Sequence, residues 1–215
     1  MLRRGYVETQ IEALGKALAS ILLRRNEGDY NGAIAEIRLA GQKMTGMDPT
    51  ALAALADEAL VDLFLFNKQF DAAKCYMAGR LLEEQAEIFA AQGRIESAHK
   101  SFQKAYVLLM EALIHEGSLR SEENIVLIDA LASKRGDDWG AHSRSRRLFH
   151  YFDSIGNYAR AEDALFEFKT VGDPEWRSEA EHFYERLLSQ SDDALARGGL
   201  PRDEVMAGLE EISED

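Results

Sequence analysis

Apolar residues along this chain recur three and four positions apart, and the runs carrying that spacing are separated by short clusters of Gly, Asp and Pro. The spacing is that of helices with one buried face, and the alternation of half-buried strands is missing. The first helix is expected from about Arg4 to Glu27, ending at Gly28, and the second from about Tyr30 to Met44. Asp48 suits an N-cap and Pro49 a first helical position, so a third helix is expected to run on to about Phe66. Its polar residues, Asp57, Glu58 and Asp62, form one narrow stripe, which predicts a central, mostly buried helix. Further helices are expected over Phe70 to Ala91, Ile95 to His115, Ser121 to Gly136, Gly140 to Ile155 and Tyr158 to Val171. Asp173 and Pro174 repeat the Asp-Pro opening and start a helix to about Gln190. A short acidic helix is expected over Arg202 to Ile212.

The fold class is therefore all-α, with about nine or ten helices in antiparallel hairpins, because the connections are too short for anything else. Composition agrees: 215 residues hold only three prolines and are rich in Ala, Leu and Glu. A net charge of -13 argues against nucleic acid or an anionic membrane surface as partner. Residues 191–215 hold eight acids and two bases, which marks 1–190 as the helical domain and 191–215 as an acidic, solvated tail. The one cysteine, Cys75, rules out a disulfide within the chain and suits a reducing cytoplasm. No uncharged stretch approaches the roughly 20 residues of a membrane span. The N-terminal "MLRRGYVETQ" lacks the apolar core of a signal peptide.

Four turns share a form: "GDYNGAI" (28–34), "KQFDAAK" (68–74), "GRIESAH" (93–99) and "GNYARAE" (156–162). Each carries a large apolar residue, expected to plug the bend, and an Ala three positions on that lets two helices cross closely. On these residues the chain resembles the tetratricopeptide-repeat family. Ala86, Phe89, Gly93, Ile95, Ala98, Phe102 and Ala105 fall at that family's spacing, with partial matches through Gly28, Tyr30, Ala33, Ile37 and Ala40 and through Phe152, Gly156, Tyr158, Ala161 and Leu165. The large residues stand at 30, 70, 95 and 158, whereas the family repeats every 34 or so. The expectation is a divergent stack of hairpins or a closed bundle. The stretch "RRGYVETQIEALGKALASIL" also looks like the start of an uncharacterised bacterial family of unknown function.

The tetratricopeptide resemblance implies a non-enzymatic protein-interaction module that binds a partner segment on the inner face of its first helices. The matching positions are Glu58 and Asp62, Glu83 and Glu87, and Arg146 and His150; in the first hairpin they are Leu18 and Leu22. Two acidic tiers would attract a basic protein or peptide segment and repel a terminal carboxylate. The plainer reading is that these acids are ordinary solvated helix faces. Self-association through an apolar helix face, giving a homo-oligomer, is equally open. A rival reading is a di-iron-like helical-bundle enzyme built on Glu96/His99 and Glu179/His182, each a Glu-x-x-His pair, with Glu84, Glu87 and Glu111 as further ligands. Against it, Glu96 sits where a carboxylate is favoured for capping alone, and no metal or cofactor is expected. "RSRR" (144–147), with His142 and His150 nearby, could hold a phosphate or pair with the acidic tail; such runs are usually solvated. No Gly-rich phosphate loop, nucleophile elbow or paired-Cys motif is present.

Overall fold

The computed structural model describes the backbone of residues 2–134 and 141–214, and the side chains of 9–134 and 144–213. The expected helix boundaries at Gly136 and Gly140, and the side chain of His142, lie outside the described residues. The fold is all-α, with twelve helices of very unequal length among the described residues. The chain divides into two compact units, Met1–Asp137 and Asp138–Asp215.

The first unit contains α1 (Leu2–Asn26), α2 (Tyr30–Met44), the short α3 (Pro49–Leu52) and α4 (Asp57–Asp62). A two-stranded hairpin, β1 (Leu65–Phe66) and β2 (Gln69–Phe70), leads into α5 (Ala72–Ala91), α6 (Ile95–His115) and α7 (Glu122–Lys134). α5 is the central helix: 14 of its 20 residues are buried, and it packs on α6, α1 and α2. A glycine permits the closest approach. A methyl group on Gly79 would stand 2.9 Å from both Cγ and Cδ2 of Leu109 on α6.

The long buried helix expected over 49–66 does not form. Ala56 leaves helical geometry at φ -65° and ψ 154°, and its side chain is no capping acceptor. The segment breaks into α3, α4 and β1, and Leu63, Leu65 and Phe66 face solvent. The apolar count promised a buried helix, but α5 already fills the centre. The partner strand follows a two-residue turn at Asn67 and Lys68, both at positive φ (50° and 63°), as a type I′ turn requires.

The second unit contains α8 (Ala141–Ser154), α9 (Tyr158–Thr170), α10 (Trp176–Leu188), α11 (Asp192–Arg197) and α12 (Arg202–Glu214). α8 packs on α9, and α10 on α12. The boundary expected at 190/191 falls inside this unit. Residues 191–215 bury Leu195, Leu200, Val205 and Ile212, while Asp192, Asp193, Asp203, Glu204, Glu210 and Glu211 stay exposed. Arg202 closes the end of α10 by donating to the carbonyls of Leu188 (3.0 Å) and Gln190 (2.6 Å).

Five helix ends close alike, at Gly28, Gly93, Gly156, Gly172 and Gly199, and the first, second and third of these lie in the repeated turn motif. At Gly28, Gly93 and Gly156 the glycine has φ between 71° and 78°, conformations that cost any residue with a Cβ. The following N–H donates to the carbonyl five residues back: Asp29 to Arg24, Arg94 to Phe89, Asn157 to Phe152, each at 2.9 Å. This is the Schellman closure. The alanines that follow, Ala33, Ala98 and Ala161, are buried as expected. The large residue does not always plug the bend: Tyr30 and Tyr158 are half-buried, but Ile95 is 54% exposed. As the first residue of α6, Ile95 precedes the buried face that begins at Ala98.

Candidate functional site

From Glu58 on α4 to Phe66 on β1, nine consecutive residues put acids and large apolar side chains at the surface together. Glu58 and Asp62 are exposed on α4. Leu63 (49%), Leu65 (52%) and Phe66 (76%) follow them. The same segment is anchored from beneath. Phe64 is buried and lies against Phe70, with ring centroids 6.5 Å apart, and Phe70 stacks on His115 at 4.3 Å. Asp57 forms a buried ion pair with Lys104 at 2.5 Å and accepts from Gln103 at 3.2 Å. A rigid base therefore holds an apolar tip in water, an arrangement that costs hydration free energy unless something covers it. The sequence pattern singles out the two acids but not Leu63, Leu65 or Phe66, whose apolar character predicts core. The available signal was Asn67, a residue that tolerates positive φ and can turn a hairpin.

The other expected site residues lie elsewhere. Glu83 pairs with Arg80 at 2.8 Å, and Glu87 with Lys134 at 2.6 Å. Arg80 also reaches the Tyr76 hydroxyl, which donates to Asn124 at 2.8 Å. Glu84, beside them, is buried and receives Arg25 at 2.9 Å. Burial pushes the carboxyl groups of Glu83 and Glu84 above the usual carboxylate range, against the pull of these arginines. The acids of α5 are thus matched by cations of the same unit. Arg146 and His150 belong to the second unit. Arg146 bonds Glu175 and Glu179, the latter at 3.1 Å, and His150 lies 3.8 Å from Glu179. Arg144 of the same basic run lies 3.5 Å from Glu167.

The two Glu-x-x-His pairs sit in different units. Glu96 is exposed at the start of α6 and bonded to Lys100 at 2.7 Å, an interaction that lowers its pKa. His182 is exposed, with Ser178 Oγ 3.5 Å from its Nδ1. Glu111 lies 3.6 Å from His115. No group of three His, Cys, Asp or Glu side chains suited to a metal ion occurs among the described residues.

A pocket of about 340 Å³ lies between α2, α3 and the α5–α6 turn. It is lined by Asn31, Ile34, Ala35 and Arg38 of α2, Thr50 of α3, and Phe89, Gln92 and Arg94. The Arg94 guanidinium lies over the Phe89 ring, 4.1 Å from its centroid. Arg38 Nε donates to Thr50 Oγ1 at 3.3 Å and lies 3.7 Å from Asp48. Thr50 in turn donates to Gln85 Oε1 (3.2 Å), and Gln85 Nε2 donates to Ser101 Oγ (3.1 Å) inside the α5–α6 interface. In the sequence, Arg94 differs from the residues that follow Gly28 and Gly156. Asp29 and Asn157 follow their glycines and cap the next helix, accepting from Gly32 and Arg160. Arg94 holds the equivalent place and cannot accept, so α6 begins without a side-chain cap.

All 215 residues match the sequence profile of a family described as a family of unknown function, DUF6483, and the chain belongs to it. No curated protein and no solved structure matches the chain. Among the described residues, no helix is long and apolar enough to cross a membrane.

Proposed function

We propose that the chain is a non-enzymatic protein-interaction module whose contact surface is the segment from α4 through the hairpin. The observation that carries this is the exposure of Leu63, Leu65 and Phe66 on a base fixed by Phe64, Phe70 and the Asp57–Lys104 pair. The partner is a segment of another protein carrying basic and apolar side chains: cations facing Glu58 and Asp62, and an apolar group over Phe66. The three glycine turns with their buried alanines support a tetratricopeptide-like hairpin arrangement beneath it. A buried free Cys75 suits a reducing compartment such as the cytoplasm.

The test is comparative. Immobilised wild type is set beside Phe66→Ser and a Glu58→Lys, Asp62→Lys variant, each shown to be folded by circular dichroism. A protein held by wild type is then purified and titrated against all three. Burying the exposed Phe66 ring contributes about 2 kcal/mol, so Phe66→Ser should weaken binding about 30-fold. The charge reversal should slow association and remove its salt dependence. Equal binding to all three overturns the proposal. So does sedimentation showing that Phe66 buries itself in a second copy of this chain.

A further inference from the structure

We infer that the pocket between α2, α3 and the α5–α6 turn binds a small organic anion, its charged group held by Arg38 and Arg94 and its apolar body against Ile34 and Ala35. Of the eight lining side chains, two are guanidinium groups, and Asn31, Gln92 and Thr50 add neutral hydrogen-bonding groups. The volume, about 340 Å³, lies within the usual range for small-molecule sites. In a chain of net charge -13, two arginines and no acid line this cavity.

Arg94 has the stronger claim. Arg24, Arg25, Arg80, Arg144, Arg146, Arg186 and Arg202 each lie against a carboxylate, whereas Arg120 donates to the carbonyls of Leu113 and Ile114. Arg94 has no carboxylate partner among the described residues; its contact is the Phe89 ring. Phe89 is buried and Arg94 is exposed, so the ring contact leaves the guanidinium N–H groups open to a ligand. A guanidinium fork suits the oxygens of a carboxylate or phosphate. The turns at Gly28 and Gly156 carry the caps Asp29 and Asn157 at this backbone position, whereas Arg94, like Leu200 after Gly199, offers no acceptor. Local rules are commonly broken where a binding site needs the side chain for something else. Arg38 is held only by a 3.3 Å bond to Thr50 Oγ1 and by Asp48 at 3.7 Å, and the Arg38 and Asp48 side chains are solvent-exposed. An incoming anion therefore displaces a weak contact.

The probe is phenyl phosphate, followed by isothermal titration and by amide chemical shifts of the full chain. Inorganic phosphate and phenol serve as controls. Saturable one-to-one binding is expected, with shifts confined to the pocket, weaker binding of inorganic phosphate and none of phenol. Arg94→Asn and Arg38→Gln should each weaken binding about tenfold or more. Arg94→Asn restores a capping side chain, so it should lose binding while keeping the fold, which separates recognition from collapse of the site. No saturation at concentrations on the order of 10 mM, or wild-type affinity in the Arg38→Gln, Arg94→Asn double variant, overturns the inference. Equal affinity for inorganic and phenyl phosphate overturns the assignment to an organic anion.

Discussion

Gly79 offers the sharpest test of how the first unit is packed. A Cβ at this position would stand 2.9 Å from Cγ and Cδ2 of Leu109 and 3.4 Å from Cβ of Leu108, where carbon atoms prefer about 3.5–4.0 Å. Cγ is not the free end of a side chain, so Leu109 must change rotamer or α5 must draw back. Overpacking of this kind costs about 1–3 kcal/mol. Against it, alanine is a better helix former than glycine by about 1 kcal/mol. Gly79→Ala should therefore destabilise the protein by about 1 kcal/mol. In a Leu109→Ala background the obstruction is gone, and the same change should stabilise by about 1 kcal/mol. The coupling is then about 2 kcal/mol, within the range for touching residues. The cycle is measured by urea unfolding at 222 nm, with hydrogen exchange of the α5 amides to report on the first unit alone. If Gly79→Ala has the same effect in both backgrounds, close approach of the two helices is not why glycine is there.

Lys68 holds φ at 63°, so Lys68→Gly should relieve about 1 kcal/mol of strain. Part of that gain is offset by added freedom of the unfolded chain, leaving about 0.5 kcal/mol, measurable as a higher urea midpoint. Gly208→Ala would set a methyl 2.4 Å from Cζ of Tyr184, whose hydroxyl donates to Glu162 at 2.6 Å. It should cost about 2 kcal/mol and raise amide exchange in α10 and α12 first. Glu84, whose folded pKa is raised by burial, binds a proton more readily in the native than in the unfolded state. Its stabilising contribution is full below the unfolded carboxyl pKa and is lost as pH rises through the folded one. Stability from pH 4.5 upward should therefore fall more steeply in wild type than in Glu84→Gln (urea unfolding across pH); identical slopes would contradict this.

The helix pattern was legible wherever a turn carried its own chemistry. Gly28, Gly93 and Gly156 end helices by backbone geometry that few other residues adopt, and α2 and α6 run over the expected residues. Ser121 caps α7 by accepting from Asn124 at 3.3 Å. Between Pro49 and Phe66 the apolar content predicts a buried helix that does not form. Nothing local says that α5 will occupy the centre, and Lys68 is not a residue that announces positive φ. The acidic composition of 191–215 also hides α11, whose first turn holds Asp192 and Asp193 behind the Ser191 cap. Of the expected site residues, Glu58 and Asp62 lie on one exposed segment. Glu83 and Glu87 had their partners, Arg80 and Lys134, close by or far along the chain, and spacing alone could not show the second case. The pocket was unreadable for the same reason: its lining comes from separate stretches, and only folding makes Arg38 a neighbour of Arg94.

The bonds from Arg38 through Thr50 and Gln85 to Ser101 all donate in the same sense, from the pocket inward. The order of donors fixes which way the Gln85 amide faces, although Gln85 is wholly buried. Drawing Arg38 away from Thr50 leaves that oxygen short of a donor and changes the polarisation of each bond further in. The buried side-chain amide of Gln85 is therefore a built-in gauge: its two proton resonances should report on the Arg38 end of the chain from a place no solute can reach.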